Sequence, residues 1–375
     1  MAVNIDSIVK FASMQRASDV HLRVGMIPAL RIDGKLTQMD MKPLSHEDVD
    51  GIVKAIVPEN LINDLDVDKE VDFSRVLDNS NSDIRLRINV FCVAGNYGIA
   101  IRIIYNNNLN LEELGIPDIS LPFIKTMLSS PRGLFLVTGP TGSGKSTSLA
   151  AMIHWINERY HRHVITIEDP IEYVYSNNKC VISQREVNYD TPSFRRAVEG
   201  SLRQDPDIIL VGEMRDLATI EAAVTAAETG HLVLSTLHTT GAARTVDRII
   251  EVFPEHSRAL VRSQLASNLL CVLSQVLCPR ANTSGRVAAF EVMFRSDAIA
   301  NLIRESKTFR IQTELEVNQA RGMISLDKHL YQLITQGEIT QEEGLMKAQY
   351  PIELQQRLQQ MGSNFAPKKK GLFSF

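Results

Sequence analysis

The chain has 375 residues, with 40 Lys and Arg against 44 Asp and Glu, and a formal net charge of −4 at pH 7. This length suits two or three domains of about 150 residues, each large enough to bury a core. The slightly acidic balance argues against a protein whose main work is non-specific binding to nucleic acid or anionic membranes, because such binding needs a surplus of basic residues.

Up to residue 105 the sequence alternates short apolar segments with turn signals, which is typical of strands in a mixed α+β domain. The predicted strands are 20–24, 29–32, which ends in an Asp33-Gly34 turn, 84–90 and 97–104, and the predicted helices are 5–15 and 45–57. Residues 106–118 are Asn-rich and contain Gly115 and Pro117. We expect an interdomain linker there.

From residue 119 apolar strands alternate with amphipathic helices, which is the pattern of a parallel sheet flanked by helices. The predicted strands are 134–137, 164–167, 208–211 and 232–237. After about residue 254 the chain reads as mostly helical, with helices predicted at 256–277, 296–304, 309–320, 325–335 and 340–349. The expected fold is therefore α/β with a helical C-terminal part reaching residue 362, followed by a disordered tail at 363–375.

The four cysteines are scattered and form no metal-binding pattern, so we expect buried free thiols in a reducing compartment; they are Cys92, Cys180, Cys271 and Cys278. No run of about 18 apolar residues and no signal-peptide pattern occur in the sequence. We expect a soluble cytosolic protein that inserts into no membrane directly and reaches one through a partner.

The strongest motif is a complete G-x-x-x-x-G-K-S phosphate loop between a predicted strand and a predicted helix. Its residues are Gly139, Pro140, Thr141, Gly142, Ser143, Gly144, Lys145, Ser146 and Thr147. Such a loop directs backbone N–H groups at phosphates from a helix N-terminus. Lys145 is predicted to reach the β- and γ-phosphates of ATP, and Ser146 to hold Mg²⁺.

Acidic residues follow two other predicted strands. The apolar run 208–211 leads to Gly212 and Glu213, a Walker B arrangement in which Glu213 would take the proton of the attacking water or orient Mg²⁺ and its waters. The strand 164–167 leads to Glu168 and Asp169, candidate ligands for metal-bound water. In an open α/β sheet the ligand lies at the carboxyl ends of the strands, so these acids point to one crevice.

Two histidines flank the strand 232–237. His238, at its end, is a candidate γ-phosphate sensor, whereas His231, at its start, lies about 20 Å away and is better suited to a subunit or loop contact. Arg87 and Arg102 lie in neighbouring strand patterns and could stand side by side if those strands pair. An arginine from a neighbouring subunit can neutralise charge on the γ-phosphate in the transition state.

Four segments, GPTGSGKST, ITIEDPIEY, LRQDPDIILVGEMRD and ETGHLVLSTLHT, occur in an order that resembles the secretion ATPase superfamily. Within it the chain most resembles the type IV pilus retraction (twitching motility) ATPases, the PilT/PilU family. ASDVHLRVGMIPALRIDGKL resembles the start of that family's PAS-like domain, and GRVAAFEVM and NLIRESKTFRI resemble later segments. The resemblance implies a PAS-like domain at 1–105 and a RecA-like ATPase domain at 119–362.

The resemblance also implies a homo-hexameric ring with nucleotide between subunits, Arg87 and Arg102 as arginine fingers, and hydrolysis that drives pilus retraction. The implied partners are an inner-membrane platform protein and, as an optional addition, a paralogous retraction ATPase, with no nucleic acid. The implied location is the cytoplasm, peripheral to the inner membrane through protein partners.

Related extension ATPases carry a four-cysteine zinc insert before the GR segment, and the interval from Cys278 to Arg286 is too short for one. The family usually has Gly where this chain has Ser306. The alternatives are an accessory nucleotide-binding ring subunit that regulates a partner retraction motor, and a type IV secretion-system ATPase.

Overall fold

The computed structural model describes residues 4–32, 35–77, 84–104 and 110–364, with side chains up to residue 360. The predicted turn at 33–34, residues 106–109 of the predicted linker and residues 365–375 of the predicted tail lie outside this part. The described residues up to 104, with Glu172–Val174, form one compact unit, and the other described residues form a second.

The first unit is an α+β domain built on a six-stranded antiparallel sheet. Its strands are β1 (Asp19–Arg23), β2 (Ala29–Ile32), β3 (Lys35–Gln38), β4 (Glu70–Leu77), β5 (Ile84–Val93) and β6 (Asn96–Ile104), in the order β3-β2-β1-β6-β5-β4. Its helices are α1 (Ile5–Met14), α2 (His46–Ile56) and α3 (Ile62–Asp68). Alternate residues of β1, β5 and β6 pack with apolar faces of α1 and α2 in one core. The expected PAS-like α+β class is confirmed.

The second unit is a RecA-like α/β domain with a seven-stranded sheet. Its strands are β7 (Gly133–Thr138), β8 (His163–Glu168), β9 (Val181–Glu186), β10 (Ile208–Val211), β11 (Leu232–Leu237), β12 (Leu269–Pro279) and β13 (Arg286–Phe294). The order is β13-β12-β7-β11-β10-β8-β9, and only β13 runs antiparallel to its neighbour. Strands β7, β10 and β11 are buried along their whole length, as expected for parallel strands covered on both faces.

The helices of this unit cover the sheet and form the C-terminal part. They are α4 (Leu121–Leu128), α5 (Lys145–Asn157), α6 (Phe194–Ser201), α7 (Leu217–Glu228), α8 (Ala242–Glu251), α9 (Glu255–Asn268), α10 (Asp297–Arg304), α11 (Ile311–Val317), α12 (Leu326–Thr335), α13 (Gln341–Lys347) and α14 (Pro351–Asn364). Within the described part of the chain, no helix is both long and apolar enough to cross a bilayer.

The prediction of one helix over 256–277 is wrong. Helix α9 ends at Asn268, and the chain continues as β12, which lies between β7 and β13. Most residues of β12 are buried, and a strand buried on both faces has the same mainly apolar sequence as a buried helix. No Gly or Pro separates the helix from the strand, so the sequence gives no signal for the change.

The second half of the predicted linker belongs to the second unit. Residues 111–114 form a short 3₁₀ helix that begins with a capping box between Asn110 and Glu113. Leu111 and Ile116 are buried in the core of that unit. Leu114 is partly buried against the same core. The sequence shows little sign of this packing, because these few apolar residues stand among polar ones.

Two further sequence features receive a structural explanation. Ser306 has φ of +58° at the end of α10, a left-handed conformation in which Gly is favoured. This conformation explains why the family usually has glycine at the position of Ser306. Cys180, Cys271 and Cys278 are buried free thiols as predicted, but Cys92 is free and exposed.

A buried histidine lies in the C-terminal part of the second unit. The His329 ring stacks on Phe290, and its Nδ1 accepts a 2.9 Å hydrogen bond from the Phe290 N–H. Burial lowers the pKa of His329 from 6.5 to about 4, because protonation would place a positive charge out of contact with water. It would also remove the acceptor of the Phe290 N–H. The neutral ring is therefore required by the fold.

We expect the second unit to lose about 3 kcal/mol of stability between pH 7 and pH 4 through His329 alone. In the unfolded chain the ring takes up a proton below pH 6.5, whereas in the fold it resists until about pH 4. His329→Asn keeps an acceptor but does not titrate, so urea unfolding at the two pH values should show a smaller loss in the variant. Burial raises the pKa values of Glu291 and Asp327, so these two acids stabilise the fold as the pH falls. Their effect is the same in the unaltered protein and in His329→Asn, and it cancels in the comparison. Equal losses would contradict the assignment.

Candidate nucleotide-binding site

The candidate site lies at the carboxyl edge of the parallel strands of the second unit. Strands β7, β11, β10 and β8 are consecutive in the sheet, and their ends lead into the segments that carry the predicted site residues. The phosphate loop follows β7, Glu213 follows β10, and His238 follows β11. These residues are far apart in the sequence, and the shared edge of the sheet brings them together.

The phosphate loop has the backbone that its glycines permit. Gly139, Gly142 and Gly144 have φ of +148°, +76° and +88°, values that L side chains rarely adopt. A Cβ atom on Gly139 would overlap the carbonyl oxygen of Gln275, whereas a Cβ on Gly142 would meet no atom within 4 Å. The loop is thus packed against β12 at Gly139 and open at Gly142.

Lys145 and Ser146 begin helix α5 directly after the loop. The Lys145 ammonium donates to the carbonyl oxygens of Gly139 and Pro140, at 2.9 and 3.1 Å. It is therefore held over the loop, where an anionic ligand would offer it a stronger partner than these neutral carbonyls. Ser146 lies in the first turn of α5, at the positive end of the helix dipole.

Glu213 is the centre of a polar cluster at the end of β10. Its Oε1 lies 2.9 Å from His238 Nε2, and its Oε2 lies 2.8 Å from Arg215 Nη2. The other ring nitrogen of His238 lies 3.4 Å from Thr141 Oγ1, in the phosphate loop. The side chain of Glu213 is only 17% exposed, so its carboxylate is aimed at the site rather than at bulk water.

A cavity of about 320 Å³ lies beside this cluster. Its lining includes Glu213, Arg215 and His238, with Thr239 and Arg248. Two arginines and a histidine face one carboxylate, so the cavity is suited to an anionic ligand.

Glu168 lies at the end of β8 but is turned towards the sheet. Its Oε1 accepts hydrogen bonds from Thr166 Oγ1 at 2.7 Å and from Gln184 Nε2 at 3.4 Å. It lies directly under Gly212, where an added Cβ would come within 3.2 Å of the Ile167 carbonyl oxygen and 3.3 Å of Glu168 Cα. The close approach of β8 and β10 therefore leaves little room for a larger side chain at Gly212.

His231 lies at the opposite edge of the sheet, before β11. Its Nδ1 lies 3.0 Å from the carbonyl oxygen of Ala226, and its own carbonyl accepts from the N–H of Gly133. These bonds join the end of α7 to the start of β7. A local structural contact accounts for His231, and the structure separates it from His238 as predicted.

Arg87 and Arg102 lie in the first unit and face each other across the β5–β6 pair, in the register that the sequence suggested. Arg102 Nε lies 3.1 Å from Asp19 Oδ1, and Arg87 Nε lies 4.0 Å from Asp72 Oδ1. The Arg102 side chain is 66% exposed and that of Arg87 is 45% exposed. Both guanidinium groups are accessible, and their weak surface ion pairs could be exchanged for a phosphate.

Sequence reasoning missed three residues of the site. Arg215, two residues after Glu213 in GEMRD, was within reach of a motif-based search. Arg248 gave no signal, because it lies in an amphipathic helix of ordinary pattern. Gln275 lies under the phosphate loop, on the strand that was predicted to be helical.

Known proteins resemble this chain over nearly its whole length. The family described as Type II/IV secretion system protein matches residues 2–360. The type IV pilus retractation ATPase PilT of Pseudomonas aeruginosa is 44% identical over 93% of this chain and 99% of its own length. The type IV pilus ATPase PilU of the same organism is 36% identical over 92% of this chain and 89% of its own length.

Among solved structures, the pilus retraction motor PilT with bound ADP superposes with a TM-score of 0.87 at 40% identity. The superposition covers 94% of this chain and 99% of that one. Both units of the present structure are therefore included in the likeness.

Proposed function

The chain belongs to the Type II/IV secretion system protein family, and we propose that it is an ATP-hydrolysing motor that powers retraction of a type IV pilus. The observation that carries this proposal is the linked position of Glu213, His238 and Thr141 beside the phosphate loop. It supplies a base next to a phosphate site in a chain 44% identical to a pilus retraction ATPase over nearly its whole length.

In the proposed reaction the phosphate loop binds and orients ATP. The backbone N–H groups of the loop and of the first turn of α5 face the phosphates, and Lys145 exchanges the carbonyls of Gly139 and Pro140 for phosphate oxygens. The two carbonyl contacts keep the ammonium close to where it is needed. Little reorganisation then accompanies binding.

Glu213 is the proposed general base. His238 holds one of its oxygens and Arg215 the other, so the carboxylate has a fixed direction but partners that can rotate away. His238 also reaches Thr141, which makes it the proposed link between the loaded phosphate loop and the base. The same contact suits the role of γ-phosphate sensor.

Ser146 and Glu213 are the residues that would hold Mg²⁺, the latter partly through water. Hydroxyl and carboxylate oxygens are ligands that Mg²⁺ accepts, and in such sites most of its other ligands are phosphates and water. Bound Mg²⁺ neutralises charge that develops on the phosphates. Glu168 is a proposed ligand of the metal-bound water only through a side-chain rotation, because its carboxylate is hydrogen-bonded to Thr166 and Gln184.

We further propose a homo-hexameric ring in which Arg87 and Arg102 of one subunit act on the nucleotide of the next. Their side-by-side register and exposure support the role. Cationic guanidinium groups at the γ-phosphate would stabilise the transition state.

A mixing experiment tests the shared site. Lys145→Ala and Arg102→Ala should each abolish ATPase activity, the first within its own subunit and the second at a neighbour's nucleotide. Mixed rings should recover part of the activity, because some junctions join an intact Lys145 to an intact Arg102. Steady-state phosphate release over a range of mixing ratios measures the recovery.

Native mass spectrometry should confirm that mixed rings form. A matched control is the mixture of Lys145→Ala with Lys145→Met, which contains no intact phosphate loop and should stay inactive. Mixed rings of the first kind with no activity at any ratio would show that Arg102 acts within its own subunit or in folding alone.

The proposed location is the cytoplasmic side of the inner membrane, reached through a pilus platform protein, with a paralogous retraction ATPase as an optional second partner. In cells, deletion of the gene should increase the number of surface pili and abolish twitching. Restoring the unaltered gene should reverse both effects, and Lys145→Ala should restore neither. Normal pili with lost effector export would favour a secretion ATPase, and full rescue by Lys145→Ala would favour an accessory ring without its own hydrolysis.

A further inference from the structure

Gln275 is a buried polar residue under the phosphate loop that the reaction described above does not use. It lies on β12, next to the end of β7, and is 2% exposed. Its Nε2 donates a 2.6 Å hydrogen bond to the carbonyl oxygen of Ser143, and its Oε1 accepts a 2.8 Å bond from Ser148 Oγ. Both ends of one side-chain amide are thus committed to the loop and to the helix that follows it.

The direction of the amide is fixed by chemistry. A carbonyl oxygen can only accept a hydrogen bond, so the nitrogen of the amide must face Ser143 and the oxygen must face the Ser148 hydroxyl. Ser148 belongs to the first turn of α5, and its N–H donates to the carbonyl of Gly144. Gln275 therefore ties the last peptide of the loop to the start of the helix.

The hydrogen bond to the Ser143 carbonyl also sets the direction of the Gly144 N–H, which belongs to the same peptide. In a trans peptide the carbonyl and the N–H that share the bond point in opposite directions. With the Ser143 carbonyl directed down onto Gln275, the N–H of Gly144 is directed away from β12, towards the open side of the loop. Gly144, with φ of +88°, has no side chain to restrict the orientation of this peptide, so the peptide needs an external constraint.

We propose that Gln275 is a positioning residue that orients the Ser143–Gly144 peptide so that its N–H donates to a nucleotide phosphate. The role deepens the proposed function and rests on it. Gln275 itself does not touch the nucleotide.

The variant Gln275→Glu tests this role, because the protonation state of the introduced carboxyl group can be changed by pH. An ionised carboxylate of the same shape accepts from Ser148 but repels the Ser143 carbonyl, whereas the protonated acid can donate to that carbonyl as the amide does. The affinity of the full-length variant for ADP, measured by titration calorimetry, should be at least about tenfold weaker than that of the unaltered protein at pH 8. The deficit should shrink as the pH is lowered to 5.5. Expressing every value relative to the unaltered protein at the same pH removes the titration of ADP itself.

Two further variants separate this role from a packing role. Gln275→Met fills a similar volume without a donor and should bind ADP more weakly by a factor that does not depend on pH. Ser148→Ala removes the other bond of Gln275 but leaves the donor to Ser143, and should bind ADP almost normally. Thermal unfolding without nucleotide reports the stability of each protein.

The outcomes are distinguishable. A pH-dependent deficit in Gln275→Glu alone supports the proposal. Normal binding by both Gln275 variants, or a deficit in Gln275→Glu that is the same at every pH, overturns it while leaving the proposed function intact. No ADP binding by the unaltered protein overturns the proposed function and the role of Gln275 with it.

Discussion

Replacing Glu213 with Gln should lower ATP turnover by about a hundredfold or more while leaving ADP affinity close to normal. The amide keeps the size of the side chain and can still bond to His238 and Arg215, but it cannot take a proton from water at neutral pH. A positioned general base contributes on the order of 10²–10⁴ to rate. Steady-state phosphate release and ADP titration on the same preparation separate chemistry from binding.

The matched control is Glu199→Gln. Glu199 lies in α6 and bonds to Arg195 of the same helix at 2.7 Å, so losing its charge changes only a surface ion pair. Turnover by that variant should equal that of the unaltered protein. If Glu213→Gln also hydrolysed ATP at the normal rate, the base would have to be another residue, and Glu168 would be the next candidate.

Gly139→Ala should abolish nucleotide binding and destabilise the second unit by several kcal/mol. The added methyl group would overlap the carbonyl oxygen of Gln275 and come within 2.6 Å of Ser143 Oγ, at a residue with φ of +148°. Overpacking costs about 1–3 kcal/mol of folding free energy and backbone strain costs a similar amount, and both costs arise at this one residue. Because Gln275 carries the clash on its backbone, no side-chain rotation can relieve it.

Urea unfolding and ADP titration measure the two effects. Gly337→Ala is the control for backbone strain alone, since Gly337 has φ of +74° and an added Cβ would meet no atom within 4 Å. We expect about 1–2 kcal/mol of destabilisation and unchanged ADP affinity there. Equal destabilisation by the two variants would mean that the close approach of Gly139 and Gln275 is unimportant.

The parts of the site that could be predicted from the sequence are those with strong local signals. Strand β10 was predicted with the observed bounds, because four apolar residues stand between Asp207 and Gly212. Strand β11 was likewise predicted at 232–237. The phosphate loop is a contiguous motif between an apolar run and a predicted helix, so the sequence alone was enough to place it between β7 and α5.

Other elements carried no such signal. Strand β3 is exposed along its whole length, so it has no apolar alternation to detect. Strand β9 lies at the sheet edge and mixes polar and apolar residues. Strand β12 has the reverse problem, since its mostly apolar sequence, interrupted only by Ser274 and Gln275 before the final Pro279, reads equally well as a buried helix. That ambiguity concealed Gln275, whose importance depends on tertiary contacts with residues more than a hundred positions away.

The carboxylates of Glu291 and Asp327 limit where the protein can be shortened or fused. Glu291 accepts from the N–H of Ala242 and from the side chain of Gln349, and Asp327 accepts from the N–H groups of Gln349 and Tyr350. A chain ending before residue 349 would leave Asp327 without both of these donors and Glu291 without the side chain of Gln349, although Glu291 would keep the N–H of Ala242 at the start of α8. Leu354 of α14 is also buried, packed with Leu330 and Leu333, so tags and partner fusions belong beyond this helix.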